Sequence, residues 1–144
     1  MFLREKILLL QFRDLKLTKT ELFHCLQKSE YFREFIYNKD GVESKLYEPK
    51  AEEMFNIPIS IDNIIKLLRS FQENKIRTED MIEWCDFVRF SNVFCYPEEP
   101  VEQELVANLI DEIQNIGNRK GAFLHKYVTE WISVCKDYNT GSGT

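Results

Sequence analysis

The chain has 144 residues, a formal net charge of −5, 44% hydrophobic and 30% charged side chains. That length suits one domain with a real core, and the balance excludes the low-hydrophobicity, high-charge profile of a disordered chain. Five glycines and four prolines are too few for a turn-rich β-sandwich or barrel, and an acidic protein is poorly matched to nucleic acid phosphates.

Along the chain, residues 2–15 carry Leu3, Ile7, Leu8, Leu10, Phe12 and Leu15 in a helical but nearly all-round apolar pattern. Thr18-Lys19-Thr20-Glu21 has the Thr-x-x-Glu form of a capping box and opens a second helix through Leu22, Cys25 and Leu26 towards Phe32, Phe35 and Ile36. Asn38-Lys39-Asp40-Gly41 then closes it with turn chemistry. Residues 42–59, punctuated by Pro49 and Pro58, read as an irregular loop. A helical turn around Met54, Phe55 and Ile57, or a short hairpin, is the expected content of that loop.

Ser60 fits the N-cap of a third helix carrying Ile61, Ile64, Ile65, Leu68 and Phe71, closed by Asn74-Lys75. Thr78, followed by Glu79 and Asp80, is expected to cap a fourth, with acids complementing the macrodipole and Met81, Ile82, Trp84, Cys85 and Val88 as its apolar face. Pro97 and Pro100 suit the start of a fifth helix, where a missing N–H costs nothing. Its apolar stripe is Val101, Leu105, Leu109, Ile113 and Ile116, with Gly117 at the C-cap. A last helix over about 120–136 carries Phe123, Leu124, Tyr127, Val128, Trp131 and Val134. The prediction is an all-α, single-domain bundle of five or six helices over residues 1–138, with a flexible tail at 139–144.

Charges at Arg4, Glu5 and Lys6 stand where a signal peptide would begin its apolar run, and Gln11, Arg13 and Asp14 break the stretch from Ile7 to Leu10. With no run near the roughly 18 apolar residues of a membrane span, the expectation is a soluble, cytoplasmic protein with no membrane contact. Cys25, Cys85, Cys95 and Cys135 never form a Cys-x-x-Cys pair, and His24 and His125 lie far from Cys85 and Cys95. Structural thiols, no metal and no cofactor are expected. Neither a phosphate-cradling glycine loop nor a dinucleotide fingerprint occurs, and no Cys–His pair has a spacing that marks catalysis. No enzyme is expected.

Charge is the sharper signal. Between Thr78 and Asn118 ten acids (Glu79, Asp80, Glu83, Asp86, Glu98, Glu99, Glu102, Glu104, Asp111 and Glu112) face one base, Arg89, so the segment carries −9 and the remaining residues +4. Helical spacing places Glu79, Glu83, Asp86 and Phe90 opposite Met81, Cys85 and Val88, with Phe87 to the side. Glu104, Asn108, Asp111 and Asn115 form a second outward stripe opposite Leu105, Leu109 and Ile113. Acids around an exposed aromatic would make a charged rim and an apolar anchor. The plainer alternative is a solvated face with Phe87 and Phe90 buried. Lys16, Lys19, Lys28 and Arg33 are too scattered to form a basic stripe, so no nucleic acid partner is expected.

At Lys75-Ile76-Arg77-Thr78-Glu79-Asp80-Met81-Ile82-Glu83-Trp84-Cys85 the chain resembles small helical immunity proteins of bacterial toxin systems, including contact-dependent growth inhibition. In those a Lys-Ile-x-(Ser/Thr) start leads into a helix bearing a Trp, here with Cys85 in place of the more usual Ala. A following acidic helix opens near Pro97-Glu98-Glu99, and the resemblance spans roughly residues 61–135. It implies an inhibitor that binds one cognate toxin domain, often a nuclease, and blocks its active site or substrate groove. The candidate contacts are then Glu79, Glu83, Asp86, Phe87, Phe90, Glu98, Glu99, Glu104 and Asp111. Two alternatives stay open: a helical adaptor or regulatory module unrelated to toxins, and a small enzyme with a catalytic thiol.

Overall fold

Hydroxyl side chains cap the starts of the second and third helices. In the computed structural model, which describes residues 3–26, 56–90, 93–117 and 124–141, the Glu21 amide donates to Thr18 Oγ1 (3.1 Å) and the Thr18 amide donates to Glu21 Oε1 (3.0 Å). This reciprocal box opens α2 (Lys19–Leu26) after α1 (Leu3–Arg13). Ser60 does the same for α3 (Ile61–Gln72): the Asn63 amide donates to Ser60 Oγ and the Ser60 amide to Asn63 Oδ1 (2.8 Å). At its far end the Asn74 amide donates to Phe71 O and the Lys75 amide to Ser70 O, with Asn74 in the left-handed region at φ 59°. These are the two closing bonds of a Schellman turn, in which Asn tolerates the positive φ.

The cap of α4 (Thr78–Phe90) differs from expectation. Arg77 holds the N-cap position, since its carbonyl accepts from Met81 and its amide donates to Asp80 Oδ2 at 2.9 Å. Thr78 is the first helical residue, one place inside the cap. Helix α5 (Pro100–Gly117) begins on its proline, and α6 (Leu124–Asn139) runs three residues past the expected end. Asn139, in its last turn, donates to Asp62 Oδ1 at 2.9 Å.

Residues 57–59 correct the loop reading. β1 (Ile57–Pro58) pairs in parallel with β2 (Phe94–Cys95), in the register Ile57↔Phe94 and Pro58↔Cys95. Ile57 donates to Val93 O and Ile59 to Cys95 O, so the ladder takes the amides on either side of Pro58 and none from the proline. Ile57 and Ile59 are buried while Pro58 is exposed, the alternation of a strand. Neither a helical turn nor a hairpin occupies these three residues. Met54 and Phe55, like Phe32, Phe35, Ile36, residues 38–41 and Phe123, lie outside the described residues.

The described residues otherwise form an all-α assembly of six helices in which α3 packs on α6 and α4 on α5, with α1 and α2 together and α2 against α4. The core joins Leu9 and Phe12 of α1, Leu22 and Phe23 of α2, and the apolar half of α3, to Met81, Trp84, Cys85, Phe87 and Val88 of α4. On α5 the buried residues are Val106, Leu109, Ile110 and Ile113, while Val101 is 62% exposed. This helix contacts α3, α4 and α6, so its buried arc is wider than the expected stripe and turns away from Val101 in the first turn. On α6, Ile132 and Cys135 are buried and Val134 is exposed, the same kind of rotation.

Candidate partner-binding surface

The α4–α5 seam decides what the acidic residues can do. Gln114, only 7% exposed, donates through Nε2 to Asp86 Oδ1. It accepts from Arg89 Nη1 at 2.7 Å, and the same guanidinium nitrogen reaches Asp111 Oδ1 at 3.0 Å. Asp86 and Asp111 therefore tie α4 to α5, and Arg89, the one base of the segment, is spent at the same seam. A polar residue beside Ile110 and Ile113 on a buried arc is the sequence signal that could have found Gln114.

Three more carboxylates hold the fold. Glu99 caps α5, accepting from the Val101 amide (3.1 Å) and the Glu102 amide (2.7 Å), and it also accepts from Tyr138 Oη at 2.9 Å. Those bonds, the Glu102 amide foremost, hold its carboxyl below the usual carboxylate range, while Glu99 pushes the Tyr138 phenol up. Glu102 Oε2 accepts from the Ile61 amide (3.1 Å), and Glu112 Oε2 from Trp131 Nε1 (2.8 Å). Sequence spacing missed Glu102 and Glu112 because both partners are remote along the chain.

The expected α4 stripe divides. Glu83 and Asp86 are about 60° apart around a helix: Asp86 meets α5, whereas Glu83 is half-buried on the α2 side. Burial pushes the Glu83 carboxyl up, opposed by the nearby Lys19 charge. Asp80 loses charge stability to burial, but its hydrogen bonds from Arg77 win and hold its carboxyl low. Glu79 pairs with Arg77 at 3.1 Å in the open, and Glu98 and Glu104 are exposed.

Phe87 does not serve as an exposed anchor. It is 5% exposed and packs edge-on to Phe12 (centroids 5.0 Å) and Phe94 (5.8 Å), with Phe23 at 5.5 Å. The α1–α2 pair covers that side of α4, a long-range fact that helical periodicity does not carry. Phe90 is the last residue of α4, and its side chain lies outside the described residues.

Burial pushes the Cys135 thiol up to about 11 and raises Cys85 further still; Cys95 is raised by burial and by Glu98. Such thiols stay protonated at neutral pH, the opposite of an activated nucleophile. Among the described residues no group of three or more His, Cys, Asp or Glu side chains is placed to hold a metal ion, and no helix is long and apolar enough to cross a membrane. No family model, curated protein or solved structure matches this chain.

Proposed function

We propose that this protein is an immunity protein: it binds a cognate toxin domain with a basic groove, such as a nuclease, and neutralises it through the acidic surface of α4 and α5. The observation that carries the reading is the state of the carboxylates. Glu99, Glu102 and Glu112 bond to neutral N–H and O–H donors, and such bonds orient a charge without cancelling it. Among the described residues, Arg77 pairs with Glu79 and Asp80, and Arg89 with Asp111. A net negative charge on α4, α5 and the segment between them remains, with Glu98 and Glu104 exposed at its surface and Glu79 exposed beside Arg77. A groove built to hold phosphates is complementary to such a field, which would speed encounter and disfavour wrong partners.

The test is co-expression with the product of the adjacent gene. An otherwise toxic neighbour that becomes tolerated, and that co-purifies with this chain as a stable complex, is the expected result. A harmless neighbour, or a toxic one that this chain neither binds nor silences, overturns the reading and leaves a helical adaptor as the better description.

A further inference from the structure

The last turn of α6 is fastened differently from the rest of the helix. Cys135 is its last fully buried residue, and from Lys136 to Gly141 every residue is exposed or half-buried, with Tyr138 packed against the core. Two consecutive side chains of that turn reach the heads of other helices. Tyr138 Oη donates to Glu99 Oε2 and Asn139 Nδ2 donates to Asp62 Oδ1, both at 2.9 Å. Glu99 caps α5, and Asp62 lies in the first turn of α3. Those two heads are themselves tied by the Ile61 amide, which donates to Glu102 Oε2 at 3.1 Å. Three helix ends therefore meet at three carboxylates.

The chemistry of these bonds makes them sensitive to acid. Each acceptor is a carboxylate and each donor a neutral N–H or O–H, and among the described residues Asp62, Glu99 and Glu102 form no ion pair. A hydrogen bond to an ionised acceptor is roughly twice as strong as one between neutral groups, so protonation weakens all three links together. Lys136 and Asp137, the charged residues of the turn itself, are exposed. The Tyr138 phenol is pushed up by Glu99 and by the nearby Glu102 charge, so it keeps its proton throughout. Glu99 sets the sign: its carboxyl is held below 4.5, so its bonds are intact above that value and are lost as pH falls through the folded one. Coupling comes from the chain, because Tyr138 and Asn139 are neighbours in one turn and fraying that frees one frees the other. A turn with little buried apolar surface opens before the core does.

We propose that residues 136–141 are an acid-released latch: Tyr138 and Asn139 let go of Glu99 and Asp62 in one step, and the end of α6 undocks while the remaining helices stay folded. The same protonation removes negative charge from the head of α5, so the latch opens as the acidic surface discharges. The inference does not depend on the toxin reading. NMR of the ¹⁵N-labelled protein, titrated from neutral pH into acid with circular dichroism alongside, tests it. The Asn139 side-chain amide and the Ile61 and Glu102 backbone amides are expected to move together, with a midpoint below 4.5. Hydrogen-exchange protection of the Thr140 amide, which donates to Lys136 O, should fall at least about tenfold over the same range while Val128 and Ile132 keep theirs. Tyr138→Phe leaves the cap of α5 in place, and it should loosen Thr140 and shift the Asn139 side-chain amide already at neutral pH. Separate midpoints for the three probes, a Thr140 amide protected until the helical signal itself is lost, or an Asn139 signal untouched by Tyr138→Phe would each overturn the proposal.

Discussion

Trp84 donates its indole N–H to the Arg13 carbonyl oxygen at 3.3 Å, across 71 positions of sequence. A side chain from the middle of α4 thus satisfies one of the carbonyls that α1 leaves open at its C-terminus. Trp84 is 1% exposed, so Trp84→Phe deletes both the donor and part of a packed ring. A loss of about 1–3 kcal/mol is expected, read as a lower urea midpoint at unchanged slope. A variant as stable as the parent would mean that the α1 carbonyl needs no protein donor.

The polar seam between α4 and α5 makes a ranked prediction. Gln114→Leu keeps the volume but leaves the Asp86 carboxylate without its amide donor, a loss of about 1–3 kcal/mol. Gln114→Glu should be worse at neutral pH, because it sets a second carboxylate against Asp86 in a buried position. Urea denaturation of the two variants gives the order, and equal stabilities would rule out the charge argument.

Two carboxylates give stability opposite pH dependences. Glu99 is held below its ordinary value of 4.5, so its contribution is present above 4.5 and is lost as pH falls through the folded value. Glu99→Gln should therefore melt lower than the parent at neutral pH and converge with it in acid. Glu83 is held above 4.5; stability linked to it is complete below 4.5 and is lost as pH rises through the folded value. Glu83→Gln should melt higher at neutral pH and lose that advantage in acid. Thermal melts of parent and variants across this range check both signs, and parallel curves would contradict them.

Local chemistry was legible from sequence and distant pairing was not. The Thr18–Glu21 and Ser60–Asn63 helix starts, and Pro100 at the head of α5, are each written within four residues, and so is most of the apolar face of α4. The β1–β2 ladder is two residues long in each strand and joins segments 37 positions apart, too short for a periodic signal. The same limit explains the site. Acidity of α4 and α5 is plain in composition, but whether a carboxylate caps a helix, as Glu99 does, or takes a remote indole, as Glu112 does, depends on neighbours that the fold supplies. Phe87 failed as an anchor for that reason: Phe12 and Phe23, which cover it, come from the other end of the chain.

That division chooses the residues for the functional test. Reversing Asp86 would break its bond to Gln114, and reversing Glu99 would uncap α5, so either change confounds binding with folding. Glu79, Glu98 and Glu104 are exposed, and changing all three to Lys moves the net charge from −5 to +1, six units in total. With the partner proposed above, the triple variant should associate about 10- to 100-fold more slowly at low salt, and its rate should lose most of its salt dependence. Dissociation should change far less, because steering acts before the contacts close. Stopped-flow association at several ionic strengths, with circular dichroism confirming an intact fold, separates the outcomes. An unchanged association rate would show that the acidic field of α4 and α5 plays no part in recognition, whatever the partner is.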